Sequence, residues 1–297
     1  MKLFRIRSIF VLSLILFAVT AFPVPAQETP KEYQDVLTLL GRSGDFKANV
    51  LKVNIPRSDL HVTISGQATP TPFGFGGWVA MTKTDGGTEV LMGDLVLTQE
   101  EVNPVLSALL NHDIEITALH NHFFFEEPRI FFMHVHGRGD AMTLAKSLKP
   151  AIDLIPKPPA SISAPAATAP AFDLATLDRI VGYKGEASGP VYKYTLGRDD
   201  LNLKEHGATI NARMGLNSWA AFTGKESDAQ IAGDIAMRES EVNPVLKALR
   251  AHKLNVVAIH HHMLGTQPTV IFLHYWGRGN AEELATGFRA AIDVLGK

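Results

Sequence analysis

The sequence predicts an α+β protein made of two tandem homologous modules, each a mostly antiparallel sheet with helices packed on one side. Three observations lead there. Long strings recur at a constant spacing. Within each copy, apolar β runs and hairpin turns are punctuated by short helices. A run of Pro, Ala and Ser separates the copies.

The repeat is read directly. Glu101-Val102-Asn103-Pro104-Val105-Leu106 returns 140 residues later as Glu241-Val242-Asn243-Pro244-Val245-Leu246. The same spacing carries Asp94 to Asp234, His112 to His252, His120 to His260, His122 to His262, Pro128 to Pro268 and His134 to His274. It also carries Gly137-Arg138-Gly139 to Gly277-Arg278-Gly279 and Ala151-Ile152-Asp153 to Ala291-Ile292-Asp293. Upstream of a one-residue indel the spacing becomes 141, pairing Gly44 with Gly185, Lys52 with Lys193, Arg57 with Arg198, Gly66 with Gly207 and Trp78 with Trp219.

Residues 1–26 read as a secretory signal. Lys2, Arg5 and Arg7 precede an apolar run from Ile9 to Phe22, and small residues at Val24 and Ala26 set a cut after Ala26. The run is shorter than the ~20 residues of a spanning helix, so no stable membrane anchor is expected once it is removed. Loss of those three cations takes the formal charge from −2 to −5. The balance of 28 Lys+Arg against 30 Asp+Glu gives no electrostatic reason to expect a nucleic-acid partner. With no cysteine, disulfides, thiolate chemistry and lipid attachment are all excluded.

Module 1 spans residues 32–155 and module 2 residues 172–297, joined by a semi-rigid linker at 156–171. A short helix precedes Gly41, and its counterpart precedes Gly182. Strands follow at Val50–Ile55, Leu60–Ser65 and Trp78–Thr82, then a hairpin turn at Asp85-Gly86-Gly87 into Glu89–Val96. A helix covers 102–111, with Asn103-Pro104 at its start, although Thr98 and Glu101 offer an earlier cap. Ile114–Phe124 and Ile130–His136 read as strands around a turn at Glu126-Glu127-Pro128. A last helix runs from Ala141 to about Ile152, capped by Asp140, or by Asn280 in the second copy.

The chemistry lies in the histidines. Eight of the 12 sit at matched positions, and six of these lie in the two hairpins: His120, His122 and His134, and His260, His262 and His274. Residues two apart on a strand share a face, and a hairpin turning about Glu127 sets His120 opposite His134 with His122 as diagonal neighbour. Each module then presents three imidazoles to one point, the ligand set of a zinc site with an open fourth position; Cu²⁺ is the second candidate. The α-type carbonic anhydrases share this spacing, and nothing else here suggests their fold. In the bland alternative, the histidines hydrogen-bond within a buried hairpin and recur through duplication alone.

Glu126 gives the first copy His120-x-His122-x3-Glu126, like half of a cupin metal motif, but Thr266 replaces it in the second copy and no second cupin motif follows. It reads as an exposed turn carboxylate, with general base or fourth ligand as the functional reading. Arg138 and Arg278 sit between glycines before a helix. They suit a carboxylate or phosphate, but an ion pair to an acid such as Asp94 accounts for them as well. Trp78 and Trp219 read as core, His112 and His252 as helix-end structural residues, and Arg57–Asp59 and Arg198–Asp200 as ion pairs.

The strings Glu-Val-Asn-Pro-Val-Leu, Ala-Leu-His-Asn-His and Phe-Met-His-Val-His-Gly resemble the LppY/LpqO family of exported bacterial proteins, built around a domain of unknown function. The resemblance covers both modules. It implies export, to the periplasm or outside the cell, and the module boundaries, but no activity. Some members resemble lipoproteins; this chain departs from them in having no cysteine.

Two functions follow. One is an exported metal-binding protein, or a metal-dependent hydrolase in which Glu126 or Arg138 assists a metal-bound water. Its matched ligands favour binding, since the only nearby carboxylate is unmatched. The other is a metal-free envelope module that binds a small molecule or protein partner in a cleft between the repeats.

Overall fold

The computed structural model describes residues 27–157 and 169–296. The signal reading at 1–26 and most of the expected linker lie outside the described residues.

Each module opens on a helix stopped by glycine. α1 (Lys31–Leu40) ends at Gly41, and the corresponding helix (Leu174–Val181) ends at Gly182, with φ of 59° and 80°, a left-handed cap that glycine adopts without strain. In module 1, β1 (Gly44–Lys47) and β2 (Val50–Pro56) lead into a small hairpin of β3 (Val62–Ile64) and β4 (Gln67–Thr69). β5 (Gly76–Lys83), β6 (Glu89–Thr98), α2 (Gln99–Leu110), β7 (Glu115–His120), β8 (Glu126–Glu127), β9 (Ile130–Gly139) and α3 (Ala141–Ile152) complete it.

Module 2 repeats the order. After α4 (Leu174–Val181) come β10 (Glu186–Ser188), β11 (Val191–Gly197), the short pair β12 (Lys204–Glu205) and β13 (Ala208–Thr209), and β14 (Asn217–Lys225). β15 (Asp228–Arg238), α5 (Val242–Ala251), β16 (Asn255–His260), β17 (Val270–Gly279) and α6 (Ala281–Ile292) follow. Each module is built on a six-stranded antiparallel sheet, ordered β1-β2-β5-β6-β9-β7 and β10-β11-β14-β15-β17-β16.

The expected α+β class holds, with two differences at element ends. α2 starts at Gln99, because the Thr98 hydroxyl and the Glu101 carboxylate cap each other's backbone N–H; in module 2 a 3₁₀ turn at Glu239–Glu241 takes that place and α5 starts at Val242. The runs at Leu60–Ser65 and Ile114–Phe124 are strand only over Val62–Ile64 and Glu115–His120.

β6 shows how the layers stack. Leu91, Leu95 and Leu97 face the helices, packing with Leu40, Val105, Leu109 and Leu148. Val90, Met92 and Val96 point the other way and are just as buried, against module 2. A strand covered on both faces reads as a continuous apolar run. The two sheets therefore stand face to face with helices outside.

The segments between the second and third strands of each sheet clasp the pair. Val62, Ile64, Phe73 and Phe75 of module 1 pack with Val191, Ala221, Ala232 and Trp276 of module 2. Reciprocally, Leu201, Leu203, Ala208, Ile210 and Met214 of module 2 cover Val50, Ala80, Val90 and Met92 of module 1. Polar contacts fix the seam: Arg213 to Asp45 at 2.8 Å, Gln67 to Asp228 at 2.9 Å, and the Asp85 N–H to the Gly207 carbonyl at 3.2 Å.

Candidate metal centre between the modules

The histidines occupy the face that each sheet turns to the other. His134 sits on β9 directly opposite Asp94 of β6, and His274 on β17 opposite Asp234 of β15. The hairpin register differs from the expected one. His120 pairs with Phe132, and His134 with Ala118, with an irregularity between Ile116 and Ala118. The chain after His120 leaves the sheet, and Glu126–Glu127 pair with β3 instead. A shift of two residues preserves the face, so His120 and His134 still share it.

Because that face is also the module interface, the six imidazoles form one cluster and not two separate triads. His120 stacks on His260 at 3.8 Å between ring centroids, His122 on His274 at 3.6 Å, and His134 lies 4.0 Å from His262. Phe132 and Phe272 floor it, 3.2 Å from His122 and 3.4 Å from His262. Two sets offer ligand nitrogens within 4.8 Å of one another: His120, His260 and His274, and His134, His260 and His262. Both mix the modules. Nitrogens sharing a tetrahedral zinc lie roughly 3.4 Å apart, so an ion draws such a set inward by about 1 Å.

Three of the rings are oriented by backbone carbonyls. Nδ1 of His134 lies 3.3 Å from the Gly93 carbonyl, Nδ1 of His274 3.2 Å from the Gly233 carbonyl, and Nδ1 of His260 3.3 Å from the His261 carbonyl. With the proton on Nδ1, each Nε2 carries its lone pair toward the cluster, and all three Nε2 atoms are buried without a partner. Both ring nitrogens of His120 and His122 are likewise unpartnered, and Nε2 of His262 has the Asp234 carboxyl at 3.4 Å. Burial is the main cause holding these rings neutral, and neighbouring imidazoles add to it. His120 is pushed down to about 2, His260 to about 4 and His262 to about 3, while His122, His134 and His274 fall well below the ordinary value. Neutral imidazole is the metal-binding form.

Two carboxyls adjoin the cluster. Asp234 accepts the Leu273 N–H at 3.1 Å, and its other oxygen lies 3.4 Å from Nε2 of His262 and 4.0 Å from that of His274. Burial raises both acids, and Asp234 raises Asp94 further. On the side of His122, His262 and His274 opens a cavity of about 830 Å³, walled by Asp94, Asp234, Lys52, Lys193, Trp78 and Trp219. The tryptophans are therefore cavity wall and not closed core.

Other expected residues lie elsewhere. Glu126 is buried, not exposed, in the β3–β8 pairing; neither carboxylate oxygen has a partner, and it joins neither ligand set. Arg138 contacts His206 at 2.7 Å and Arg278 pairs with Asp228 at 2.7 Å; the acid suggested for Arg138, Asp94, faces the cavity instead. His136, which Trp276 replaces in module 2, sits 2.8 Å from Glu205 of the clasping segment. Nδ1 of His112 meets the Ala108 carbonyl at 2.7 Å at a helix end. The Arg57–Asp59 and Arg198–Asp200 pairs form at 2.9 and 2.8 Å, and each arginine also reaches its helix-capping glutamate, Glu101 or Glu241. Sequence reasoning missed Lys52, Lys193, Asp94 and Asp234 as site residues. Their signal was there: charged side chains at matched positions inside otherwise apolar strands.

Among solved structures, the chain is similar to the trimeric bacterial microcompartment shell protein PduB at 12% identity and a TM-score of 0.20, covering 82% of this chain and 86% of that one. EtuB from Clostridium kluyveri matches at 11% identity and a TM-score of 0.21, over 85% and 91%. Likenesses this slight carry nothing about function. No curated protein matches the sequence. The family described as Domain of Unknown Function (DUF1259) matches residues 34–154 and again 175–294. The chain belongs to that family and carries two tandem copies of its domain.

Proposed function

We propose that this is an exported protein that binds one metal ion, zinc or copper, in a histidine centre shared by its two modules. The observation that carries the reading is the set of buried imidazole nitrogens left without partners at the seam. A buried polar atom without a hydrogen bond costs about 1–3 kcal/mol, and six side chains of one type do not collect such penalties for packing alone. A cation held by His120, His260 and His274, or by His134, His260 and His262, would offset the penalties of the three rings that bind it. Export, and membership of the LppY/LpqO group, are supported by the signal-like residues 1–26 and the paired strings. Among the described residues no helix is long and apolar enough to cross a membrane.

Binding is favoured over hydrolysis, since Glu126 and Arg138 stand outside the cluster. His260 belongs to both ligand sets, which supplies the test. His260→Ala should abolish zinc uptake by the whole chain, although His120, His122 and His134 remain. Retention of half the metal by this variant would show two independent sites and contradict the reading. The second reading, a cleft for a small molecule between the repeats, has its own support in the cavity beside the histidines.

A further inference from the structure

Two lysines in the cavity have no partner of opposite charge. Lys52 on β2 and Lys193 on β11 occupy matched positions, one from each module, and both line the cavity. The Nζ of Lys52 lies 4.4 Å from the Trp78 ring centroid, and that of Lys193 lies 4.3 Å from the Trp219 centroid. Neither makes a hydrogen bond or ion pair to any described residue. Burial pushes both ammonium groups down to about 8; Lys193 and Arg213 add like charge at Lys52 with Asp45 and Asp94 pulling back, and Asp234 and Asp94 pull back at Lys193. The third cation of the wall, Arg213, has its acid outside the cavity lining, Asp45 at 2.8 Å.

An ammonium held half-buried over an indole face is stabilised only modestly by the ring. That is less than a hydrogen-bonded counter-ion provides, so the pair stands short of negative charge. The carboxyls that share the cavity do not supply it: Asp234 is turned to His262 and His274, and neither it nor Asp94 makes a hydrogen bond or ion pair to either lysine among the described residues. What is missing is an anion from outside, and the cavity has the volume of a metabolite site.

We propose that this cavity takes a small oxyanion, a carboxylate or a phosphate, gripped by Lys52 and Lys193 with its far end toward the histidine centre. The far end rests on the metal reading above; the grip of the two lysines does not. Duplication makes it bipartite. Each module contributes one ammonium and one indole, so an oxyanion with two or more acceptor oxygens bridges the seam. The tryptophans hold the ammonium groups in place before it arrives.

The test is calorimetric titration of the purified chain with malonate and with inorganic phosphate, metal-free, and with malonate again after zinc loading. The expected result is saturable binding of at least one probe with Kd near or below about 1 mM, weakened on the order of tenfold or more in Lys52→Gln/Lys193→Gln. That variant should keep its zinc content and a Tm no lower than the parent's, a readout that separates an anion site from a structural role. Which probe binds more tightly decides between carboxylate and phosphate. No binding of either probe up to about 10 mM, or equal binding by the variant, overturns the proposal. Lysine-dependent anion binding without zinc uptake would sink the metal reading and leave this one standing. If the double variant does not fold, the unaltered protein decides: malonate or phosphate should raise its Tm above that in chloride of matched ionic strength, and no rise overturns the proposal.

Discussion

His134 and Asp94 meet across two strands beside the buried Val90, Met92, Val96 and Phe132, and the energetics of the site follow from such placements. The pH dependence is one consequence. In the unfolded chain each of the six histidines binds a proton near pH 6.5, whereas in the fold burial and the neighbouring rings hold them neutral, His120 to about 2 and His260 to about 4. Above pH 6.5 both states are neutral and nothing changes. Below it the unfolded state alone takes up protons, so stability falls with pH, by about 1.4 kcal/mol per pH unit for each histidine. Asp94 and Asp234, raised by burial, act with the opposite sign above their ordinary value near 3.8, but two carboxyls do not offset six imidazoles. Urea unfolding of chelator-treated protein at about pH 7.5 and about pH 5.5 should show a large loss of stability at the lower value. Equal stability at the two would contradict the buried, metal-free cluster. At this scale the histidines were legible, because three matched pairs with two-residue spacing stand out. Lys52 and Asp94 recur in the second copy too, but what a charge in an apolar strand does is readable only once the element covering its face is known.

At the level of elements, Arg57 ties a strand end to a helix start. Its guanidinium is buried, with Asp59 at 2.9 Å, Glu101 at 2.6 Å and the Val96 carbonyl at 2.7 Å, while Glu101 also caps α2. Arg57→Ala strands two carboxylates and a carbonyl and should destabilise the protein by about 3–5 kcal/mol in denaturant unfolding. Arg57→Lys should recover only part of this, because an ammonium cannot fork between two carboxylates. A loss under about 1 kcal/mol for the alanine variant would show that the network is dispensable. The Arg57–Asp59 pair was readable from the sequence. Its link to Glu101 was not, as it joins residues 44 apart. The register of β7 on β9 was misjudged for a comparable reason: Glu126 and Glu127 look like a turn, yet they pair with β3, and the site survives only because the shift was even.

For the whole molecule, each module carries half of the histidine cluster and an apolar face, and the other module covers both. The modules and their α+β order were visible in the repeat. Their arrangement was not, because nothing in one copy says what covers the outer side of Val90, Met92 and Val96. A chain cut to residues 27–157 keeps β6 and β9 but loses the segment that covers Val50, Ala80 and Met92. It should aggregate or self-associate, and it should bind no zinc as a monomer; size-exclusion chromatography with metal analysis checks both. A soluble monomeric half that takes up zinc would mean that each module is complete alone. The most direct measurement is elemental analysis of the whole chain, reconstituted with zinc and freed of excess, counted per chain. A single seam-spanning centre predicts one ion per chain, and two ions per chain, or none, would contradict it.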